Sequence, residues 1–313
     1  MKDIVFKSKY AISPQETHND MHARMAKEFA RIESYYIPNE NKELKQRLSF
    51  YGRKREPLSF DKIYHLFKDY KYIVPQGSVM SNLGNPSKIT SLSNCFVVGQ
   101  PEDSYGGILY KDQELVQLYK RRGGVGIDIS SLRPATFPVN NAANNSTGAV
   151  SFMERFSHST REAAQNGRRG ALMISIDVRH PDIFEFATIK NDLSKVTGAN
   201  ISIQLRDDFM QAVKDDKDYV LRWPCTDENI VSTEELLESN FKHNTLYTFR
   251  DLNIKEEETL SGCFKIIRAR ELWDVIIKSA HQTAEPGLMF LDKHWDYSPD
   301  SVYPQYKGVT TNP

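Results

Sequence analysis

The residues of this sequence that could do chemistry are a few thiols, some paired charges and two glycine-rich loops. The first stretch is Ser91-Leu92-Ser93-Asn94-Cys95-Phe96-Val97-Val98, with a polar turn region, Gly84-Asn85-Pro86-Ser87, ahead of it. This pattern is a loop entering a buried strand, with a thiol where the strand begins. The chain has three cysteines, Cys95, Cys225 and Cys263. Any of them can serve as a small buried hydrophobe. Cys95 has polar, loop-forming neighbours and is the better candidate for a working thiol. Cys225 follows Trp223-Pro224 and reads as structural, as does Cys263. A second stretch is Arg121-Arg122-Gly123-Gly124-Val125-Gly126. Glycines let backbone N–H groups approach phosphate oxygens. This run lacks the Gly-Lys-Ser/Thr ending of a P-loop, however, and Val125 to Ile129 is strand-like rather than helical. A third stretch, Gln165-Asn166-Gly167-Arg168-Arg169-Gly170, breaks a helical pattern. A glycine-flanked arginine pair can take two arrangements, as coupling between two sites requires. His180, in His180-Pro181-Asp182, reads as part of a helix start rather than as a base.

The totals bound what these residues can belong to. A chain of 313 residues can bury a sizeable core in two domains or one large α/β unit. Lys+Arg and Asp+Glu both total 41, so no basic excess argues for nucleic acid as a bulk partner. The first 20 residues contain no apolar signal segment, and no apolar run is long enough to span a bilayer. The cysteines form neither a disulfide framework nor a zinc motif. The expectation is a cytoplasmic protein in a reducing compartment, with neither membrane nor nucleic acid as partner.

Hydrophobic periodicity supplies the elements that must position the chemistry. Ser13-Pro14-Gln15-Glu16 predicts a helix start, with Met21, Met25, Phe29 and Ile32 along one face. Ser59-Phe60-Asp61 opens a second helix through Ile63, Leu66 and Phe67. Residues 72–98 are a loop and the first buried strand. Pro101 to Ser104 is a turn, and Gln113 to Tyr119 a helix. Residues 136–148 form a small, polar loop. Val150 to Ala164 is a helix, Ala171 to Ile176 a buried strand and Ser194 to Leu205 a further strand region. Asp207 starts another helix. Residues 206–270 are richer in charge and less periodic, and within them Lys242-His243 and Glu256-Glu257-Glu258 read as a solvated insertion. A strongly amphipathic helix, Ala269 to Ala284, and a strand, Pro286 to Leu291, follow.

Five stretches in this order resemble the catalytic subunits of ribonucleotide reductases: Ser93-Asn94-Cys95-Phe96-Val97, Arg121 to Asp128, Leu132-Arg133-Pro134, Asn166 to Ala171, and Thr310-Thr311-Asn312-Pro313. The resemblance covers roughly residues 70–313. It implies an α/β fold, with an N-terminal helical domain over 1–70 and the first half of a ten-stranded α/β barrel over 71–313. No stretch resembles the ATP-binding cone that many members carry ahead of the helical domain.

The resemblance also implies an activity, the reduction of ribonucleoside diphosphates to deoxyribonucleotides by thiyl-radical chemistry. Cys95 matches one cysteine of the redox pair, and Asn312 the asparagine that hydrogen-bonds the reacting ribose. Ser78, Asn94 and Gly124 match substrate contacts. Residues 136–148 correspond to the first specificity loop and the Arg169 stretch to the second. Asp103, Arg133 and Arg169 match positions that bind a dNTP or ATP effector; taken alone, Asp103 and Arg133 read equally as a surface ion pair. In the family Asn-Pro is followed by Cys-Gly-Glu, whose cysteine carries the radical. The expectation is therefore a chain that is inactive without a downstream half. Further expected partners are thioredoxin or glutaredoxin as reductant and a second copy of the assembled subunit. The radical is expected from a metal-bearing small subunit, with adenosylcobalamin as the alternative. A nucleotide-binding or assembly subunit, or an intein-flanking precursor without its own redox role, is the competing reading.

Overall fold

The computed structural model describes residues 2–36, 48–163, 170–226, 232–252 and 262–303. They fall into two compact units, Met1–Asn94 and Cys95–Pro313.

The first unit is helical: α1 (Lys2–Lys9), α2 (His18–Ser34), α3 (Phe50–Lys54), α4 (Phe60–Phe67) and α5 (Gly77–Asn82). Its core gathers Phe6, Met21, Met25, Ala26, Ile63, Phe67 and Leu83. The helix expected from Ser13 begins later, at His18, because Thr17 and Asp20 form a reciprocal capping box. Ser13 instead accepts the Glu16 N–H at 3.2 Å and closes a turn. The Glu16 carboxylate turns inward, accepting the Ile12 N–H and pairing with Arg24, each at 2.7 Å. Met21 and Met25 are fully buried, as their spacing implies, while Phe29 and Ile32 stay over a third exposed. Ser59 caps α4 as expected.

In the second unit the elements alternate: β1 (Cys95–Val97), α6 (Tyr105–Tyr119), β2 (Gly124–Asp128), α7 (Met153–Glu162), β3 (Leu172–Asp177), α8 (Ile183–Thr188), β4 (Asn200–Leu205) and α9 (Asp207–Lys214). There follow β5 (Asp218–Trp223), α10 (Thr233–Glu238), β6 (Tyr247–Thr248), β7 (Cys263–Arg268), α11 (Ala269–Thr283), β8 (Gly287–Phe290) and α12 (Leu291–Tyr297). Strands β1, β2, β3, β4 and β8 form one parallel sheet in that spatial order. This is the sheet expected of a five-stranded half of the barrel. Helix α6 is longer than its apolar spacing implied, because Ser104 accepts the Gly107 N–H at 3.0 Å and caps it early. Strand β4 is shorter than expected. Val196 is fully buried at φ 47°, so the chain ahead of Asn200 is bent rather than extended.

Successive side chains of a strand point to opposite faces, and here the faces differ in kind. Val125, Ile127, Leu172, Ile174, Ile176, Ile201, Ile203 and Leu205 belong to the main core with Leu115, Phe156, Phe186, Phe209 and Leu272 of the helices. The alternate positions are Cys95, Gly124, Gly126, Asp128, Met173, Ser175, Asp177, Asn200, Ser202 and Gln204. They lie side by side in register: Cys95 with Gly124, Gly126 with Met173, Ser175 with Ser202, and Asp177 with Gln204.

In the 206–270 region Lys242 and His243 are exposed, as expected, and Glu256 to Glu258 lie outside the described residues, but the region as a whole is not irregular. It contains a second, antiparallel sheet in the order β5-β7-β6, with its own core of Val220, Leu236, Phe264 and Ile266. Among the described residues no helix is long and apolar enough to cross a membrane. Phe264 is fully buried and its ring contacts Tyr247, Phe241 and Phe249. Phe264→Ala is expected to cost about 3–5 kcal/mol, read as a lower urea midpoint.

Candidate functional site

Cys95 opens β1, and its register partner across the parallel ladder is Gly124 of β2. The thiol-bearing residue is exposed, whereas Cys263 is buried and Cys225 partly so. The other two thiols are poor nucleophiles. Burial pushes both well above the ordinary thiol range, and the Cys225 thiol donates to the Arg222 carbonyl at 3.3 Å. The glycine pair beside Cys95 divides its work. A Cβ at Gly123 would meet the Phe96 ring at 2.7 Å, so that glycine serves packing. Gly124 leaves the place next to Cys95 without a side chain. Arg121 turns away from this loop and donates to the Gln117 carbonyl at 2.7 Å, near the end of α6.

Ser78 and Asn94, both read as substrate contacts, meet each other. The Asn94 carbonyl oxygen accepts the Ser78 N–H at 3.0 Å and also the Ser78 hydroxyl. Its amide nitrogen donates to the Gln76 side chain at 2.7 Å. The Asn94 side chain thus fixes the first turn of α5 to the residue that immediately precedes Cys95.

Asp103 and Arg133 also come together. Arg133 donates from Nε to one Asp103 oxygen at 2.6 Å and from its backbone N–H to the other at 3.0 Å. The surface pairing that the two residues allowed is therefore present, and it forms one wall of a cavity of about 260 Å³. Tyr105, Ile108 and Phe152 give this cavity an apolar side, while Asn141, Asn145 and Thr147 come from the 136–148 loop. A flat, partly apolar ligand with polar edges suits such a lining.

A family model for the ribonucleotide reductase barrel domain matches residues 93–301. The chain belongs to the ribonucleotide reductase family. It is similar to the vitamin B12-dependent ribonucleoside-diphosphate reductase of Thermoplasma acidophilum, 34% identical over 222 residues, which are 70% of this chain and 24% of that protein. The ribonucleoside-diphosphate reductase large subunit of Dictyostelium discoideum is 28% identical over 217 residues, 67% of this chain and 23% of the relative. The vitamin B12-dependent enzyme of Mycobacterium tuberculosis is 27% identical over 281 residues, 89% of this chain and 33% of the relative. The chain thus matches about a quarter to a third of the length of these curated relatives.

Of the residues singled out in the sequence, the structure brings Cys95 beside Gly124, Ser78 beside Asn94, and Asp103 beside Arg133. Arg169 and Asn312 lie outside the described residues. Sequence reasoning missed a buried charge cluster on the polar face of the parallel sheet. Asp177, at the end of β3, accepts from Arg179 at 2.9 Å and from Arg206 at 2.8 Å. Arg206 also pairs with Asp292 at 2.9 Å and stacks over the Trp295 ring. Asp128, at the end of β2, accepts from Ser130 and Gln100. Asp177, Arg206, Trp295, Asp128, Ser130 and Gln100 line a second cavity of about 330 Å³. The available signal was the polar residue at alternate positions of three isoleucine-rich strands.

Burial alone would raise the Asp177 carboxyl, but the Arg179 and Arg206 guanidinium groups outweigh it and hold it below its ordinary range. Asp177→Ala removes the buried carboxylate shared by the Arg179 and Arg206 guanidinium groups and is expected to cost about 3–5 kcal/mol in denaturant unfolding. Because the folded-state value is the lower one, this contribution is complete above the ordinary carboxylate range. It disappears as pH falls through the depressed value. The stability gap between wild type and Asp177→Ala should therefore narrow in acid.

Proposed function

We propose that this chain is the N-terminal part of a ribonucleotide reductase catalytic subunit that reduces ribonucleoside diphosphates to deoxyribonucleotides. The observation that carries the proposal is the exposed Cys95, in register with Gly124 on the polar face of the parallel sheet. Supporting it is the similarity to proteins named as ribonucleoside-diphosphate reductases.

In the proposed reaction a thiyl radical on a cysteine of the downstream half lifts the 3′-hydrogen of the ribose. The 2′-hydroxyl is then protonated and leaves as water. Cys95 and a second downstream cysteine give up two electrons and two protons and end as a disulfide. Exchange with thioredoxin or glutaredoxin restores the pair. Gly124 makes room for the sugar next to the thiol. Asn312 holds the ribose hydroxyls, and Ser78 and Asn94 bound the substrate through the turn they fix. The cavity of Asp103 and Arg133 takes a nucleoside triphosphate effector, with Arg169 as a further contact. Complete assemblies pair as homodimers in the cytoplasm.

The radical itself is supplied either by adenosylcobalamin or by a metal-bearing small subunit. The Cys95 segment has the look of the small-subunit enzymes. The names of the Thermoplasma and Mycobacterium relatives weigh the other way, and we adopt the cobalamin reading on that ground.

The test combines the purified chain with a fragment carrying the rest of the barrel, a ribonucleoside diphosphate, an effector nucleotide and a dithiol reductant. Deoxynucleotide should form only in the mixture and only with adenosylcobalamin added. Turnover that requires a metal-bearing subunit instead would reverse the choice of radical source. Cys95→Ser should abolish turnover with thioredoxin, whereas full turnover by that variant would favour a nucleotide-binding or assembly role for this chain.

A further inference from the structure

The cavity bounded by Asp103 and Arg133 owes half of its lining to a loop, and both ends of that loop meet on one buried side chain. Val139, Asn141, Ala143, Asn145, Ser146 and Thr147 face the cavity. The Asp182 carboxylate, buried at the start of α8, accepts the Ala135 N–H at 3.0 and 3.2 Å with its two oxygens. It accepts the Ala149 N–H at 2.9 Å. Between those anchors the chain turns at Gly148, with φ +90°, where a Cβ would lie 2.7 Å from the Asp182 carboxylate. Only glycine lets the loop close this tightly on the acid.

The turn that carries Asp182 has a third anchor. His180 is fully buried, its Nδ1 accepts the Asp182 N–H at 3.0 Å, and its Nε2 lies 2.8 Å from the Leu132 carbonyl, to which it donates. Burial keeps this ring below the ordinary histidine range and hence neutral, in agreement with one donating and one accepting nitrogen. Leu132 directly precedes Arg133. The 180–182 turn therefore fixes the backbone ahead of Arg133 and both ends of the loop opposite it.

We infer that Asp182 is a positioning residue for nucleotide binding: by clamping Ala135 and Ala149 it holds the 135–149 loop in the shape that, with Asp103 and Arg133, forms the effector cavity. This rests on the reading of that cavity as a nucleotide site. Asp182 touches no ligand itself. Its two oxygens replace the solvent that the loop ends would otherwise require, and hydrogen bonds to a charged acceptor are stronger than neutral ones.

The test uses the full chain as wild type, Asp182→Asn and Asp182→Ala, with two measurements. Amide hydrogen exchange without nucleotide should quicken at Ala135, Ala149 and the loop between them in Asp182→Ala, while β2 and β3 stay protected. Equilibrium binding of dTTP should weaken by about ten- to a hundredfold in Asp182→Ala, the loss expected for two charge-assisted hydrogen bonds. Asp182→Asn, which keeps one acceptor oxygen, should fall between. If Asp182→Ala does not fold, Asp182→Asn carries the same comparison. Unchanged loop exchange overturns the clamp, and a loosened loop with unchanged dTTP affinity overturns the positioning role. Failure of the wild-type chain to bind dTTP overturns the nucleotide reading instead, and the exchange measurement alone then decides the clamp.

Discussion

A parallel sheet in an α/β protein is covered on both faces, and in this chain the two faces demand different covers. One is built of isoleucine, leucine and valine and is met by helices, each buried side chain contributing roughly 1.5–3 kcal/mol. The other is mostly glycine, serine, asparagine, glutamine and aspartate, with Met173 and Val97 among them and Cys95 at its margin. No apolar layer can cover that second face without stranding its polar groups. At the C-terminal ends of β2, β3 and β4 the chain answers with internal pairing: Asp177 between two arginines, and Asp128 among hydroxyl and amide donors. Nearer Cys95 the face is small rather than paired. This contrast along one surface separates a region whose polar groups are paired within the chain from one of small side chains beside an exposed thiol.

The charged region also ties the two cavities to each other. Gln100 donates to Asp128 at 2.6 Å, Ser131 to the Pro101 carbonyl at 2.6 Å, and the Arg133 N–H to Asp103 at 3.0 Å. Residues 100–103 and 128–133 are thus laced together, one end at the cavity of Asp128 and the other at the cavity of Asp103. Trp223 donates to the Ser131 carbonyl at 3.0 Å and attaches the antiparallel sheet to the same segment. With Asp182 and His180 holding the opposite side, the segment from Asp128 to Ala135 is bonded along most of its length.

Much of this architecture was legible in the residues. The Leu-x-Ile-x-Ile spacing of β3, the Ser59 cap and the amphipathic stripe of α11 are local signals that tertiary structure left intact. The Cys95 segment was singled out by its polar neighbours and Gly124 by the family resemblance, and the register places the two side by side. The misses share a cause in non-local contacts. Glu16 could not be read as the partner of Arg24, nor Thr17 as the stronger cap, from the Ser-Pro-Gln-Glu pattern alone. Strands β5 and β7 were hidden because they carry charged residues and pair with each other across a separation of about 40 to 50 residues. Asp177 and Asp182 looked like ordinary loop and capping acids. Their roles come from Arg206 and from Ala135 and Ala149, which lie about 30 to 50 positions away.

The account stands or falls on Cys95 as a redox thiol rather than a strand residue at a sheet margin. The most direct measurement is a single turnover of the reconstituted assembly without external reductant, followed by mass spectrometry of the cysteines. The account expects about one deoxynucleotide per assembly and Cys95 recovered in a disulfide with a cysteine of the downstream half. Deoxynucleotide formed while Cys95 remains a thiol would contradict it.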